Sequence, residues 1–438
     1  MIEKYINEFK KSKFWKKLAK NVMTVLIGNG GLSVINFFVM MLLVRVLGNT
    51  DYGLLLIAIQ YMNLIDGIVN FQSWAGVIKY GAEAIIDEDD DKLAAVFKSG
   101  FFIDVITALL GAVIAFCVLP IAIHIMKWNY GMALIAAIFS IEIIFHVEGT
   151  SVGILRLFDK FNLTAGQSII SGLVKLVLIG IYALLGGKSL VVVSIIYMAT
   201  DVFKHLLLVI IALNVLHNKF GIGKVVRSSF KSAGKSFFKY TIWNNIGYTV
   251  DVPVRYFDVF IISLVSVEMV SIYKVFRQII QILSMLTSPI SQAILPQFSE
   301  LIALKKHKEA LKKVLKLRNA ILIIGIIAVF SAAFIGKPLL NIFFGNEYGE
   351  NIVLFLIMLV IQIGLTSYVA IHPFFASLGV ARQGFIIILG SNLIYMLVVF
   401  LLVSRFGIYA VVIATGLQGY LCIFGKYFYA TKFIANMN

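Results

Sequence analysis

The chain consists of long apolar runs separated by short polar segments. The first run carries no charged residue between Lys20 and Arg45. Runs of about twenty apolar residues are long enough to cross a membrane as helices and too long for the strands of a membrane barrel. The pattern predicts twelve membrane-spanning helices, at residues 22–47, 53–80, 98–123, 130–155, 162–186, 189–216, 240–265, 270–298, 319–344, 352–377, 384–404 and 408–430.

Composition and a weak internal sequence repeat define the predicted fold class. Hydrophobic residues make up 60% of the 438 positions and charged residues only 14%, which excludes a soluble globular domain. Residues 43–65 are weakly echoed by residues 261–283 in the other half of the chain. We therefore expect an all-α integral membrane protein with two pseudo-symmetric six-helix bundles. The first is residues 1–216 with a basic cytoplasmic tail, the second is residues 240–438, and a basic cytoplasmic linker at 217–239 joins them.

The charges between the spans predict the orientation. Seven lysines lie before residue 21, six Lys or Arg lie in the linker at 217–239, and seven lie at residues 304–318. With twelve spans all three segments fall on one side, which the positive-inside rule assigns to the cytoplasm. The net charge of +16 then fits the anionic inner leaflet of a cell membrane and calls for no nucleic acid. We expect a multi-pass protein of the cytoplasmic (inner) membrane with both termini cytoplasmic.

Charged residues inside the predicted spans carry the functional signal. Each costs about 2.5 to 3.5 kcal/mol at a lipid-facing helix centre, so we expect them to face a cavity or one another. Several recur at helical spacing with other polar residues, which favours a water-filled pathway, although such stripes also occur as hydrogen-bonded seams between helices. The basic members predict a site for an anionic substrate: Arg45, Lys175, Lys204, Arg255, Lys274 and Arg277.

Acidic residues in the same spans are candidates for coupling transport to an ion or to the membrane potential. Carboxylates near the bilayer midplane commonly bind such ions, and the sequence contains no nucleotide-binding loop. The predicted coupling residues are Asp66, Glu142 and Asp251. An alternative for Asp251 is that it, Arg255 and Asp258 neutralise one another along one helix.

Three segments resemble a known family. "RVLGNTDYG" (45–53) resembles the R-x-L-G-x-x-x-[YF]-G junction of the first two helices in polysaccharide transporters of the MOP exporter superfamily, the Wzx-type O-antigen flippases. "LRLFDKFN" (155–162) and "PISQAILPQFSEL" (289–301) resemble further segments of the same family. The resemblance covers nearly the whole chain. Twelve spans differ from the lipid II flippase branch, which has fourteen.

The resemblance implies a MATE-like fold and a transport function. Two bundles would surround a cationic cavity and export undecaprenyl-pyrophosphate-linked oligosaccharide, such as an O-antigen repeat unit, to the outer leaflet. The expected partners are the polyprenyl-pyrophosphate-linked glycan, membrane lipids and other polysaccharide assembly proteins. Arg45 would either anchor the helix junction by pairing with Asp51 or contact the lipid pyrophosphate.

Two other functions remain open at this point. A MATE-type multidrug or cation antiporter would share the bundles but should carry an acidic, aromatic-lined cavity. A membrane-embedded glycosyltransferase or polysaccharide ligase would be an enzyme, but such enzymes normally need a sizeable outer loop, and the predicted outer loops are short. The sequence shows no catalytic, cofactor-binding or metal-ligand constellation, so we expect a transporter and not an enzyme.

Overall fold

The computed structural model describes residues 13–71, 73–249, 252–285, 287, 294, 297–302 and 304–435. Within these residues the chain is helical and contains no strand. The main helices are α1 Lys13–Val69, α2 Trp74–Ile86, α3 Asp90–Met126, α4 Tyr130–Glu142, α5 Gly149–Leu157, α6 Phe161–Leu184, α7 Leu190–Lys219, α8 Ile222–Arg227, α9 Gly234–Thr249, α10 Val252–Ser263, α11 Val267–Met285, α12 His307–Phe344, α13 Asn346–Glu350, α14 Ile352–Ser367, α15 Ile371–Ser377, α16 Ala381–Phe406 and α17 Ile408–Ala435.

Segments that could span a membrane account for most of the helical structure. Eight described segments are long and apolar enough to cross a membrane, or nine if the bent pair Tyr130–Phe145 and Gly149–Leu157 is one span. The predicted number of twelve is not confirmed by this count. One difference is α1, which runs through two predicted spans and is counted with α2 as a single segment, Gly30–Ile86. The all-α membrane architecture itself is as predicted.

Local sequence explains several helix boundaries. The α1 helix bends at Gly48, whose φ of 74° and ψ of 177° are readily adopted only by glycine. The bend falls between the predicted spans 22–47 and 53–80. Three later helices begin at residues whose side-chain oxygens accept a hydrogen bond from the first turn, the usual role of such residues at a helix start. These are Asp89 before α3, Asn129 before α4 and Ser189 before α7.

The helices divide into two compact units. Unit 1 consists of Met1–Leu47 and Leu54–Tyr256, and unit 2 consists of Gly48–Gly53 and Phe257–Asn438. In unit 1, buried apolar side chains of α2, α3, α5, α7 and α9 form one cluster, which includes Val77, Phe97, Ile154, Leu216 and Phe237. This division falls after the predicted linker at 217–239. The assignment of residues 1–216 and 240–438 to two bundles remains a prediction.

Unit 2 contains the short segment that follows the bend in α1. Thr50 Oγ1 lies 2.9 Å from Glu268 Oε1 at the start of α11. The Tyr348 hydroxyl lies 3.2 Å from Asn49 Oδ1 and 2.5 Å from Ser271 Oγ. A side chain at Gly53 would collide with the Val267 carbonyl oxygen. The glycines and polar residues of the "RVLGNTDYG" junction therefore have a packing role within unit 2.

A buried carboxylate on α3 organises the polypeptide around the start of α5. Asp104 is 1% exposed, and its Oδ1 and Oδ2 accept hydrogen bonds from the backbone N–H groups of Ser73 (3.2 Å) and Thr150 (2.6 Å). The Ser73 and Thr150 hydroxyls lie 2.8 Å apart. A Cβ on Gly149 would lie 2.7 Å from Asp104 Oδ1, so the glycine makes this approach possible. The negative charge also suits the N-terminus of α5.

We expect Asp104→Ala to lower the free energy of unfolding by about 2 kcal/mol or more, because two buried N–H groups lose their acceptor at about 1 to 3 kcal/mol each. Thermal unfolding of the detergent-solubilised protein would measure this loss. The matched control is Asp91→Ala, since Asp91 is exposed in the first turn of the same helix. Equal stability of the two variants would contradict the structural role of Asp104.

Candidate functional site: buried charged networks

The charged network of unit 1 forms where a membrane helix is interrupted. The α4 helix ends at Glu142, a short 3₁₀ turn covers Ile143–Phe145, and α5 begins at Gly149 at an angle of 40°. His146 has a non-helical backbone (φ −79°, ψ 67°), and its carbonyl oxygen accepts a hydrogen bond of 2.7 Å from Asn70 Nδ2. The interruption thus leaves the His146 carbonyl group without a helical partner, and the Asn70 side chain satisfies it.

Asp66 and His146 form the first part of this network. Asp66 is buried on α1, and its Oδ2 lies 2.7 Å from His146 Nδ1. Its Oδ1 accepts a hydrogen bond of 2.9 Å from Asn70 Nδ2. Both carboxylate oxygens of the predicted coupling residue Asp66 therefore have partners, which fix the orientation of the carboxylate and of the imidazole ring.

His205 on α7 forms the second part. Its Nδ1 lies 2.6 Å from Glu148 Oε1 and its Nε2 lies 3.5 Å from Glu142 Oε1. The His205 and His146 rings face each other with centroids 4.5 Å apart. Lys204 Nζ lies 3.8 Å from Glu148 Oε1. The structure therefore brings three predicted site residues, Asp66, Glu142 and Lys204, into one network with two histidines.

Lys175 lies beside this network in a tight ion pair. Its Nζ is 2.6 Å from Asp201 Oδ1 and 3.4 Å from the centroid of the Tyr197 ring. Lys175 is 7% exposed. The pair and the aromatic face offset the cost of placing the ammonium group within the membrane. The predicted substrate-binding lysine is thus neutralised by a neighbouring carboxylate in this structure.

Unit 2 contains a second network, with an excess of positive charge. Asp258 on α10 is 2% exposed and forms an ion pair with Arg277 on α11. Its Oδ2 also accepts a hydrogen bond of 2.9 Å from the Tyr273 hydroxyl. Lys274, next to Tyr273, is half-buried and interacts electrostatically with Asp258. One carboxylate thus serves two predicted substrate-binding cations, which leaves one positive charge uncompensated within this trio.

A further buried cation in unit 2 was missed by the sequence analysis. Lys426 on α17 is 7% exposed, and its Nζ lies 2.9 Å from Nδ1 of His372 on α15. A signal for Lys426 was present, because it is a charged residue inside a predicted span, 408–430, just as the predicted site residues are charged residues inside other spans. The described partner is an imidazole and not a carboxylate, so Lys426 adds to the positive character of the unit.

The remaining predicted site residues are Arg45, Arg255 and Asp251. Arg45, three residues before the bend at Gly48, and Arg255 on α10 are both exposed and belong to unit 1. Asp251 lies outside the described residues. A common binding surface for Arg255, Lys274 and Arg277 stays a prediction, because Arg255 belongs to unit 1 and the other two belong to unit 2.

Sequence reasoning did not identify His205, although a signal existed. The apolar run at 190–216 contains only three charged or imidazole side chains, and His205 directly follows Lys204 and lies one turn after Asp201. His146 and Glu148 lie within the predicted span 130–155, but their connection to His205 could not be read from positions so far apart in the chain.

Comparison with known proteins identifies the family. Residues 18–302 match a family model described as "Polysaccharide biosynthesis protein". The chain belongs to this family. Among curated relatives of this polysaccharide biosynthesis protein is the inner membrane protein YghQ of Escherichia coli K12, 28% identical over 116 residues. That match covers 26% of this chain and only 33% of YghQ.

Solved structures show the fold of this polysaccharide biosynthesis protein. The lipid II flippase MurJ in an inward closed conformation superposes with a TM-score of 0.71 at 14% identity, over 93% of this chain and 87% of MurJ. An inward-facing MATE multidrug transporter gives 0.68 at 11% identity, over 92% and 95%. A MOP superfamily transporter from Pyrococcus furiosus, described as having a binding pocket of reverse polarity, gives 0.63 at 14%, over 96% of both chains.

The comparisons confirm the predicted MATE-like, all-α membrane fold, and the family model places the chain in the polysaccharide biosynthesis family that the sequence motifs resemble. The three solved structures named above are described as a flippase and two transporters, whereas the family description names polysaccharide biosynthesis. The identities with the solved structures are low, so those proteins establish the fold and leave the substrate to be argued from the residues of this chain.

Proposed function

We propose that this protein is a flippase that moves an undecaprenyl-pyrophosphate-linked oligosaccharide, an O-antigen or other surface polysaccharide repeat unit, from the inner to the outer leaflet of the cytoplasmic membrane. Transport would follow alternating access of the two predicted bundles. Membership of the polysaccharide biosynthesis family supports this substrate class. The observation that carries the proposal is the excess of buried and half-buried cations over carboxylate in unit 2: Lys274, Arg277 and Lys426 against Asp258.

A pyrophosphate group suits such a set of cations. Arginine presents a planar fork of N–H donors that binds phosphate oxygens in pairs, and a buried lysine adds a compact positive charge. Arg277 has five N–H donors, so its contact with Asp258 leaves donors for an anionic headgroup. In this mechanism the polyprenyl tail stays in the bilayer, and only the pyrophosphate and glycan pass through the protein. Arg45, Arg255, Lys175 and Lys204 would supply further contacts to the anionic head.

The proposed driving force is an ion gradient or the membrane potential acting through Asp66, Glu142 and Asp251. Asp66 and Glu142 are buried in the network of unit 1, which supports their selection. Each elementary charge that moves across the membrane changes the energy by about 2.3 kcal/mol per 100 mV, which is enough to bias a transition between inward-open and outward-open states. The orientation with both termini cytoplasmic, and contacts with other polysaccharide assembly proteins, also belong to this proposal.

Reconstituted vesicles would test this function. Purified protein in proteoliposomes should move a fluorescent polyprenyl-pyrophosphate oligosaccharide across the bilayer many-fold faster than protein-free vesicles, as measured by accessibility of the glycan to an added lectin. Imposed pH, sodium or voltage gradients should change the rate. Export of cationic dyes without glycan movement would replace this proposal by a multidrug exporter. Glycan movement that is indifferent to all three gradients would overturn the coupling and indicate facilitated diffusion.

A further inference from the structure

Three side chains of unit 1 have the chemistry and spacing of metal ligands. His146, Glu148 and His205 each offer one ligand atom, and the three atoms lie within 4.8 Å of one another. Imidazole nitrogens and a carboxylate oxygen are the donor set of many zinc sites. Imidazole is a poor ligand for sodium, magnesium and calcium, which prefer oxygen. The cluster therefore suits a transition-metal ion better than the common alkali and alkaline-earth ions.

The distances require only a small rearrangement. Bonds of about 2.0 to 2.1 Å to a tetrahedral ion place its ligand atoms about 3.3 Å apart. The Glu148 Oε1 to His205 Nδ1 distance is 2.6 Å, which is a hydrogen bond, so an ion would replace the proton between them and separate the two atoms slightly. His146 and Glu148 lie on the non-helical stretch between α4 and α5, which allows this adjustment more readily than a regular helix would.

The surroundings of the cluster supply a second, independent indication. Asp66 Oδ2 contacts Nδ1 of His146, which leaves Nε2 of that ring for a ligand. A carboxylate behind a histidine is the usual outer support of a metal-binding imidazole. Glu142 is 4% exposed, its Oε1 lies 3.5 Å from His205, and its Oε2 is buried with no hydrogen-bond partner among the described residues. An unsatisfied buried carboxylate oxygen is costly, and a cation bound on the other side of the His205 ring would offset part of this cost electrostatically.

The charges of the network match a divalent cation. Asp66, Glu142 and Glu148 contribute three negative charges, and Lys204 contributes one positive charge 3.8 Å from Glu148. With both imidazoles neutral, as metal ligands are, the sum is −2. The adjacent Lys175 and Asp201 cancel each other. Lys204 would oppose an ion, but its side chain is 35% exposed and can turn away.

We propose that His146, Glu148 and His205 bind a divalent transition-metal ion of the zinc class, with water as a fourth ligand, Asp66 as the support of His146 and Glu142 as the support of His205. This site does not depend on which molecule the protein transports. A bound ion would join the interrupted segment between α4 and α5 to α7. It would also bind the two histidines that contact Asp66 and Glu142, the carboxylates to which coupling is assigned above, so the test is one of metal binding and not of transport.

The test uses the full chain, purified in detergent with an affinity tag that contains no histidine. After dialysis against micromolar Zn²⁺, we expect one Zn²⁺ per chain by elemental analysis. Co²⁺ in its place should give the visible absorption of a four-coordinate ion, which Zn²⁺ then removes. His146→Gln and His205→Gln should each lose this stoichiometric ion. The matched control is His217→Gln, an exposed histidine on the same helix as His205, which should retain it.

A milder variant keeps the proposal testable if the ligand substitutions unfold the protein. Asp66→Asn leaves all ligands in place and should weaken Zn²⁺ binding about 10- to 100-fold, the usual effect of removing an outer support. Retention of the ion by all three variants at the affinity of the His217→Gln control would overturn the proposal. So would wild-type protein that binds less than a tenth of an equivalent of Zn²⁺ and gives no Co²⁺ spectrum.

Discussion

Replacing Lys175 alone by methionine should lower the free energy of unfolding by about 3 to 5 kcal/mol, because the substitution leaves the Asp201 carboxylate unpaired in a buried site. The side chains of Lys175 and Asp201 are only 9% and 18% exposed, so solvent screens this charge weakly. The double variant Lys175→Met with Asp201→Leu should recover most of the loss, because two apolar side chains replace a closed pair. Thermal unfolding in detergent would measure both changes, and Lys188→Met, at an exposed lysine, is the control.

The double variant also separates the structural role of Lys175 from its proposed substrate contact. A pair that remains closed during transport has no free ammonium group for the pyrophosphate, and the stable double variant should then flip glycan at the normal rate. A pair that opens to receive the substrate should make the same variant stable but slow. Equal stability of the single and double variants would contradict the uncompensated-charge argument itself.

Burial of the site residues could be predicted from the sequence, but their partners could not. Asp66 and Glu142 interrupt apolar runs, so the cost of lipid exposure alone places them inside the protein. Their partners, His146 and His205, lie more than sixty positions further along the chain. Such pairings depend on how the helices pack, which periodicity within one helix does not encode.

The same limit explains where the predicted architecture was incomplete. The predicted spans 22–47 and 53–80 placed a break within "RVLGNTDYG", and the bend at Gly48 agrees with it. The assignment of Gly48–Gly53 to the second unit could not be predicted, because it depends on contacts with residues such as Glu268 and Tyr348, more than two hundred positions later. Likewise, Asp258 was grouped with Arg255 by helical spacing, whereas its ion pair is with Arg277 on the next helix.

The largest expected effect on transport is at Arg277. Arg277→Ala should lower the rate of glycan flipping about tenfold or more, because a charge-assisted hydrogen bond to phosphate is worth about 1.5 to 3 kcal/mol and 1.4 kcal/mol corresponds to a factor of ten. Arg277→Lys should be milder, since it keeps the charge and loses only the paired donors. Arg405→Ala, at an exposed arginine of the same unit, is the control and should flip at the wild-type rate.

Loss of Arg277 also leaves Asp258 unpaired, and this second effect must be separated from the first. Asp258 is nearly fully buried, so Arg277→Ala alone should lower stability as well as transport. Adding Asp258→Asn removes the unpaired charge and should restore thermal stability, while the phosphate contact stays absent and flipping stays slow. Normal flipping by this stable double variant would show that Arg277 only neutralises Asp258, and the pyrophosphate would then have to bind Lys274, Lys426 or the cations of unit 1.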